Sequence, residues 1–325
     1  MFAANNPQAP ALGDFWTATP ELSPSSGMLV ARYINNTYVL IGLGGSGGNA
    51  KLHTASSLDS WTYQAGLRTA WGDATFAGDI VWTGSTYIVV GNNTAATSSD
   101  LITWTAQYGL NSAWTSTNLC RGAVWNGTYC IAVGNDANVA YSTDGVTWTS
   151  ARANLSATSW GTEDVRAVVA SVSSVVAIVG NSGKFAVSAT NGTTWTYDSG
   201  LSATGFGTKD ALCMIYDGTS FVVGGQDGAI AARNGSTGVW TYYSGLTSIF
   251  GTDDVFGLVY KDGFYYACGG SMKLAKSADL TNWIELPGLN ALNIPIASTA
   301  ISIADIDIGL LVAAYPDTYG AYSLR

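Results

Sequence analysis

Few side chains in this 325-residue sequence could do chemistry, and their types limit what that chemistry would be. The glutamates are Glu21, Glu163 and Glu285, and Glu163 stands beside Asp164 with Arg166 close behind. Hydrolysis of a glycosidic bond uses two carboxyl groups about 5 to 9.5 Å apart. Glu163 or Asp164 with Asp210 or Asp254 are the pairs a fold could bring to that separation, although nothing in their spacing selects for it. A lone histidine, His53, leaves no material for a histidine-based metal site or triad and is expected as an ordinary strand residue. Cys120, Cys130, Cys213 and Cys268 show neither paired short spacing nor disulfide-framework density, so they are expected as small buried hydrophobes. No cofactor or metal is expected.

A second set of residues recurs. Trp71, Trp114, Trp160, Phe206 and Phe250 each follow a leucine at a short, nearly constant distance, and Asn92, Asn135 with Asp136, Asn181, and Gln226 with Asp227 recur at another fixed place. Aromatic rings beside planar amides and carboxylates are what a sugar needs, because its CH faces stack and its hydroxyls pair. These eleven residues are therefore the glycan-binding candidates. A residue present in every repeat is also what packs unit on unit, since every repeat has the same gap to fill. Asp164, Asp210 and Asp254, each four residues after an aromatic, either rim that face or cap loop N–H groups.

The elements that position these residues follow from a repeat. Trp-Thr occurs at Trp16, Trp61, Trp104, Trp148, Trp195 and Trp240, with Trp283-Ile284 as a seventh, at spacings of 45, 43, 44, 47, 45 and 43. That period suits a four-stranded propeller blade. Each period has an apolar run (Arg121–Trp125), a turn (Asn126-Gly127), a second run (Tyr129–Val133), a polar loop, a third run (Val139–Tyr141), and a turn leading to the Trp-Thr strand. Asn-Gly and Asp-Gly between alternating runs are hairpin signals. The last period supplies only three runs, and Phe15–Thr17 supplies the missing fourth. A ring closed by both termini leaves no free sheet edge. The sequence thus predicts an all-β, seven-bladed propeller of four antiparallel strands per blade over residues 14–325, the last blade closed by the N-terminal strand, after a tail at 1–13.

Lys and Arg total 13 against 22 Asp and Glu, a net charge of −9, and charged residues are 11% of the chain. An acidic chain is the wrong partner for nucleic acid or an anionic membrane, and no apolar stretch approaches the roughly 18 residues of a spanning helix. Residues 1–7 have neither the basic region nor the apolar core of a Sec signal, so none is expected.

The turn Ser142-Thr-Asp144-Gly145-Val-Thr147-Trp148, with variants at Ser98–Trp104 and Ser277–Trp283, resembles the Asp-box of BNR/sialidase-type repeats. Most copies here are one residue shorter than the family's; Ser188–Trp195 keeps the length but loses the Asp. The family includes sialidases, glycan-binding modules, photosystem assembly factors and phage tail proteins. Resemblance to sialidases is weakest where their chemistry lies, since Ala31-Arg32-Tyr33-Ile34 lacks the proline of their Arg-Ile-Pro motif. The resemblance, with the charge-poor composition and free cysteines, implies a non-enzymatic phage or viral virion protein (tail, fibre or receptor-binding component). Its partners would be other virion proteins and a host-surface glycan, its location the virion. The alternatives are a sialidase-like glycosidase and a cellular protein-assembly factor.

Overall fold

The computed structural model describes residues 17–19, 22, 26–44, 50–72, 76–114, 119–286, 299–306, 309–315 and 320–324. The expected tail at 1–13, with Phe15 and Trp16, lies outside them. Seven four-stranded antiparallel sheets succeed one another along the chain. The third is typical: Cys120–Trp125, Cys130–Gly134, Val139–Ser142 and Thr149–Ser150, from the innermost strand outward. The innermost strands of the other blades are Ser26–Ile34, Ala77–Trp82, Val165–Ala170, Ala211–Tyr216, Val255–Lys261 and Thr299–Ile306. In the seventh blade the outer strand is Thr17–Ala18, which pairs with Gly320–Leu324, so the two ends of the chain close the ring as expected.

The first hairpins of the third, fifth and sixth blades turn on residues chosen for their backbone freedom. At Asp262-Gly263 both residues have positive φ (55° and 81°), the geometry a two-residue hairpin requires. At Asn126-Gly127 and Asp217-Gly218 only the glycine does. There the side-chain oxygen of Asn126 or Asp217 accepts two backbone N–H bonds and holds the turn instead. Across first hairpins, aromatic pairs such as Trp82–Tyr87, Tyr216–Phe221 and Tyr260–Tyr265 stack with centroids 4.2–5.0 Å apart.

In three blades the turn before the tryptophan is a closed hydrogen-bond unit. Ser142 Oγ accepts from the N–H groups of Asp144 and Gly145, and Asp144 Oδ1 accepts from those of Val146 and Thr147. The Trp148 indole N–H returns to the Gly145 carbonyl at 2.9 Å. The same pattern holds at Ser98–Trp104 and Ser277–Trp283. Donation from Asn282, backbone and side chain, and from the Thr281 N–H holds the Asp279 carboxyl down at about 2. In the fourth blade Thr190 stands in for the aspartate and accepts the Thr194 N–H. Trp104, Trp148 and Trp195 are buried at 7% exposure, whereas Trp61, Trp240 and Trp283 are half-buried.

One feature departs from the sequence reading. The connections between blades carry one-turn helices, Gly66–Trp71, Gly109–Ala113, Arg152–Ser156, Gly200–Ala203 and Thr247–Phe250. They are too short to show a helical period. Each is anchored by a buried leucine or aromatic: Leu67, Leu110, Leu155, Leu201 and Phe250. Just before the leucine, Gly109 lies against the next tryptophan turn; a Cβ there would fall 2.0 Å from the Val146 carbonyl oxygen and 3.2 Å from the Trp148 ring. The core is the set of blade-to-blade interfaces, such as Ile131, Val133, Trp160, Ile178 and Trp195 between the third and fourth blades. All four cysteines are buried, free thiols within these layers, and burial pushes the Cys213 thiol up to about 12.

Trp148→Ala is expected to cost about 3–5 kcal/mol, the usual penalty for emptying an aromatic core site, measured by chemical denaturation. A chain lacking residues 1–18 is expected to melt earlier and scatter more light than one lacking 1–12, because Gly320–Leu324 then presents an unpaired edge.

Candidate functional site

All seven inner strands line the central cavity, and near its start each carries a one-residue bulge. A bulge turns one extra side chain out of the ladder. Here the bulged residues Leu29, Gly78, Arg121, Arg166, Leu212 and Phe256 line a central cavity of about 790 Å³. The mouth of that cavity, where the loops between second and third strands meet the inter-blade helices, is the candidate site.

Arg121 and Arg166 occupy the same position in adjacent blades. Each is oriented by the loop of its own blade: Arg121 Nε donates to Asn135 Oδ1 at 2.9 Å, and Arg166 Nε to Asn181 Oδ1 at 2.7 Å. Asp164 lies 3.7 Å from Arg166 Nη2. Burial and the neighbouring Arg166 charge pull the Arg121 guanidinium below its ordinary value, with Asp164 opposing. Two like charges held side by side at a half-buried mouth attract an anion. Deeper in, Asp79 is 3% exposed; its Oδ2 accepts from Arg32 Nη2 at 2.8 Å and from the Ala123 N–H at 3.1 Å, linking three blades. Its charge is matched within the wall.

The aspartates after the aromatics clip blade to blade. Asp164 Oδ1 accepts from the Asp136 N–H of the preceding blade, while its carbonyl accepts from the Asn181 N–H of its own. Asp210 does the same for Ser182 and Gln226, and Asp254 for Asp227 and Gly270. The accepted N–H belongs each time to a residue with positive φ, Asp136, Ser182 or Asp227 (54–58°). Burial raises the Asp254 carboxyl despite the Asp227 N–H, with the charges of Asp227, Asp253 and Asp210 adding to the rise. Glu163 accepts from Ser182 Oγ at 3.4 Å. These carboxylates therefore serve loop donors, the capping role the sequence offered for them.

The aromatics that follow the leucines face inward. Trp160, Phe206 and Phe250 are essentially inaccessible and Trp114 nearly so. Their rings sit on glycines; a Cβ at Gly180 would come within 2.8 Å of Trp160, and one at Gly225 within 2.6 Å of Phe206. Trp71 alone is partly open, its indole N–H bonded to the Ala95 carbonyl. A ring with both faces packed has none left for a sugar, so these side chains act as packing between blade and loop. Of the polar candidates, Asn135 and Asn181 orient the arginines, Gln226 accepts from the Asp210 N–H, and Asp227 pairs with Lys209 at 3.1 Å. Asn92 lines the central cavity and a second one of about 400 Å³, and its buried Oδ1 has no hydrogen-bond partner. His53 is buried against Tyr63, ring centroids 5.4 Å apart.

Sequence reasoning did not single out Arg121, Leu212 or Phe256. The available signal was a residue that breaks its strand's apolar pattern at the same place in successive repeats, Arg121 and Arg166 lying one period apart. Among polar clips, Asp210→Ala is expected to cost about 1–2 kcal/mol, since the Ser182 N–H loses its acceptor, and Asp210→Asn much less, both read from denaturation midpoints.

Fold and site together define a seven-bladed propeller with a pair of arginines at one mouth of its axis. No family model matches the chain, and no curated protein matches it in sequence. Solved structures do. YCF48 bound to a D1 peptide superposes with a TM-score of 0.70 at 15% identity, over 95% of this chain and 97% of that one. YCF48 from Cyanidioschyzon merolae gives 0.70 at 14%, over 95% and 98%. The WD40 propeller domain of Doa1 gives 0.64 at 10%, over 95% and 97%. At such identity the likeness is one of fold.

These neighbours correct the virion reading. They are YCF48 and WD40 propellers, not virion components, so nothing in them supports the virion proteins, the host glycan or the place in the virion expected from the sequence. The physical reason is plain: the Gly-rich, charge-poor repeat on which that reading leaned is what stacking one blade on the next demands, wherever the ring works.

Proposed function

We propose that the protein is a non-enzymatic, cellular protein-interaction propeller of the assembly-factor kind, which holds a carboxylate of its partner at the axial mouth. The unit that binds is the ring over residues 14–325. The observation that carries this reading is the Arg121–Arg166 pair, two guanidinium groups fixed side by side by Asn135 and Asn181. Guanidinium is the group best shaped to take a carboxylate in two parallel hydrogen bonds. An acidic molecule that places adjacent arginines at the rim of a cavity concentrates its attraction for anions there. The D1 peptide carried by YCF48, whose fold this chain shares across nearly its whole length, supports a peptide as the occupant. The Asp-box-like turns belong on this reading to the frame, not to the site.

Panning a random peptide library against the wild-type ring is expected to enrich sequences with a carboxylate in common. The Arg121→Gln/Arg166→Gln protein, checked for an unchanged melting temperature, is expected to lose them. Equal recovery by both proteins, or enrichment without acidic groups, would rule the reading out.

A further inference from the structure

The bulged positions are equivalent by symmetry, yet their side chains are divided. The third and fourth blades place Arg121 and Arg166 there, while the fifth, sixth and first place Leu212, Phe256 and Leu29. Below them the apolar half continues with Met214, Leu258 and Ile303, each at least nine-tenths buried. The second blade places nothing. Among the described residues Gly78 is the only bulged position without a side chain, and the backbone enforces it: a Cβ there would fall 2.1 Å from the Cys120 carbonyl oxygen. Beside this gap, Asn92 and Leu119 line both the central cavity and the smaller one, whose far wall is Trp71 and Tyr108.

We infer that the channel takes a peptide segment in which a carboxylate is joined to a bulky apolar side chain, the carboxylate on Arg121 and Arg166, the apolar group against Leu212 and Phe256, and the rest of the segment leaving over Gly78 towards Trp71. This rests on the carboxylate reading above and adds the apolar partner and the exit. Charge alone does not need an apolar wall opposite, and a cavity of about 790 Å³ has room for several residues, not a lone anion. The carboxylate is either a chain terminus or an acidic side chain, and both present the same chemistry.

The test uses the full chain and five small probes, followed through the Arg121 and Arg166 Nε–H resonances and the Trp71 indole N–H. N-acetylleucine is expected to bind about tenfold or more tightly than N-acetylglycine, because only the former buries an alkyl side chain. N-acetylleucinamide, without the carboxylate, is expected to bind weakly. If N-acetylaspartyl-leucinamide matches N-acetylleucine, an acidic side chain suffices; if it is weaker, the terminus is preferred, and either result supports the inference. Acetyl-trialanyl-leucine is expected to shift Trp71, which N-acetylleucine leaves unmoved. Equal affinity for N-acetylleucine and N-acetylglycine overturns the apolar half, and an unmoved Trp71 with the longer peptide overturns the exit. Binding by none of the probes up to their solubility overturns the inference. If N-acetylleucinamide binds as tightly as N-acetylleucine, the arginine reading fails while the leucine preference over glycine still stands. These comparisons need no variant that might lose its fold. Leu212→Gln serves as a second check and is expected to erase the advantage of leucine over glycine; an advantage that survives it overturns the apolar half.

Discussion

How closely one blade can lie against the next governs the whole ring. Gly66 and Gly109 bring their backbone within reach of the carbonyl two residues ahead of Trp104 and Trp148, so no side chain fits there. The tryptophan then has a flat backbone surface to cover, and its indole N–H is satisfied within its own turn. The serine and aspartate of that turn stiffen it without help from any other blade. Close contact, a large ring and a self-contained turn repeat as one unit. The even spacing of the tryptophans in the sequence records that distance.

A second layer of contacts joins neighbours at the upper face. Asp164, Asp210 and Asp254 each bridge two blades through one carboxylate oxygen and one carbonyl, and they meet residues whose backbone is already in the left-handed region. The loops that orient Arg121 and Arg166 are therefore held at both ends. Because Asn135 and Asn181 fix the Nε side of each guanidinium, the arginines lose little freedom on meeting an anion, which is the physical content of preorganisation.

The repeat made the architecture legible, including a closing N-terminal strand, expected at Phe15–Thr17 and found at Thr17–Ala18, because spacing and turn residues are local properties. The one-turn helices between blades escaped, since four to six residues carry no period of their own, although Leu67, Leu110 and Leu201 mark them. The site was legible only in part. Asn135 and Asn181 stood out as repeated polar residues, but the sequence could not say that they face an arginine of the inner strand. Trp160 and Phe206 stood out as repeated rings, and the glycines beneath them, far away in sequence, decide that they are packed on both sides. Repetition marks what the frame needs. The residues that break it, Arg121, Arg166 and the empty place at Gly78, mark what distinguishes one sector of the ring from another.

The closing blade has an implication for how such a chain can change in length. Its outer strand comes from Thr17–Ala18 and its other three from Thr299–Leu324, so the seam of the ring is out of phase with the repeat in the sequence. A tandem duplication of any one internal period would begin and end inside the frame and leave the seam untouched. The gene can thus grow or shrink by whole sectors while its two ends go on meeting in the same sheet.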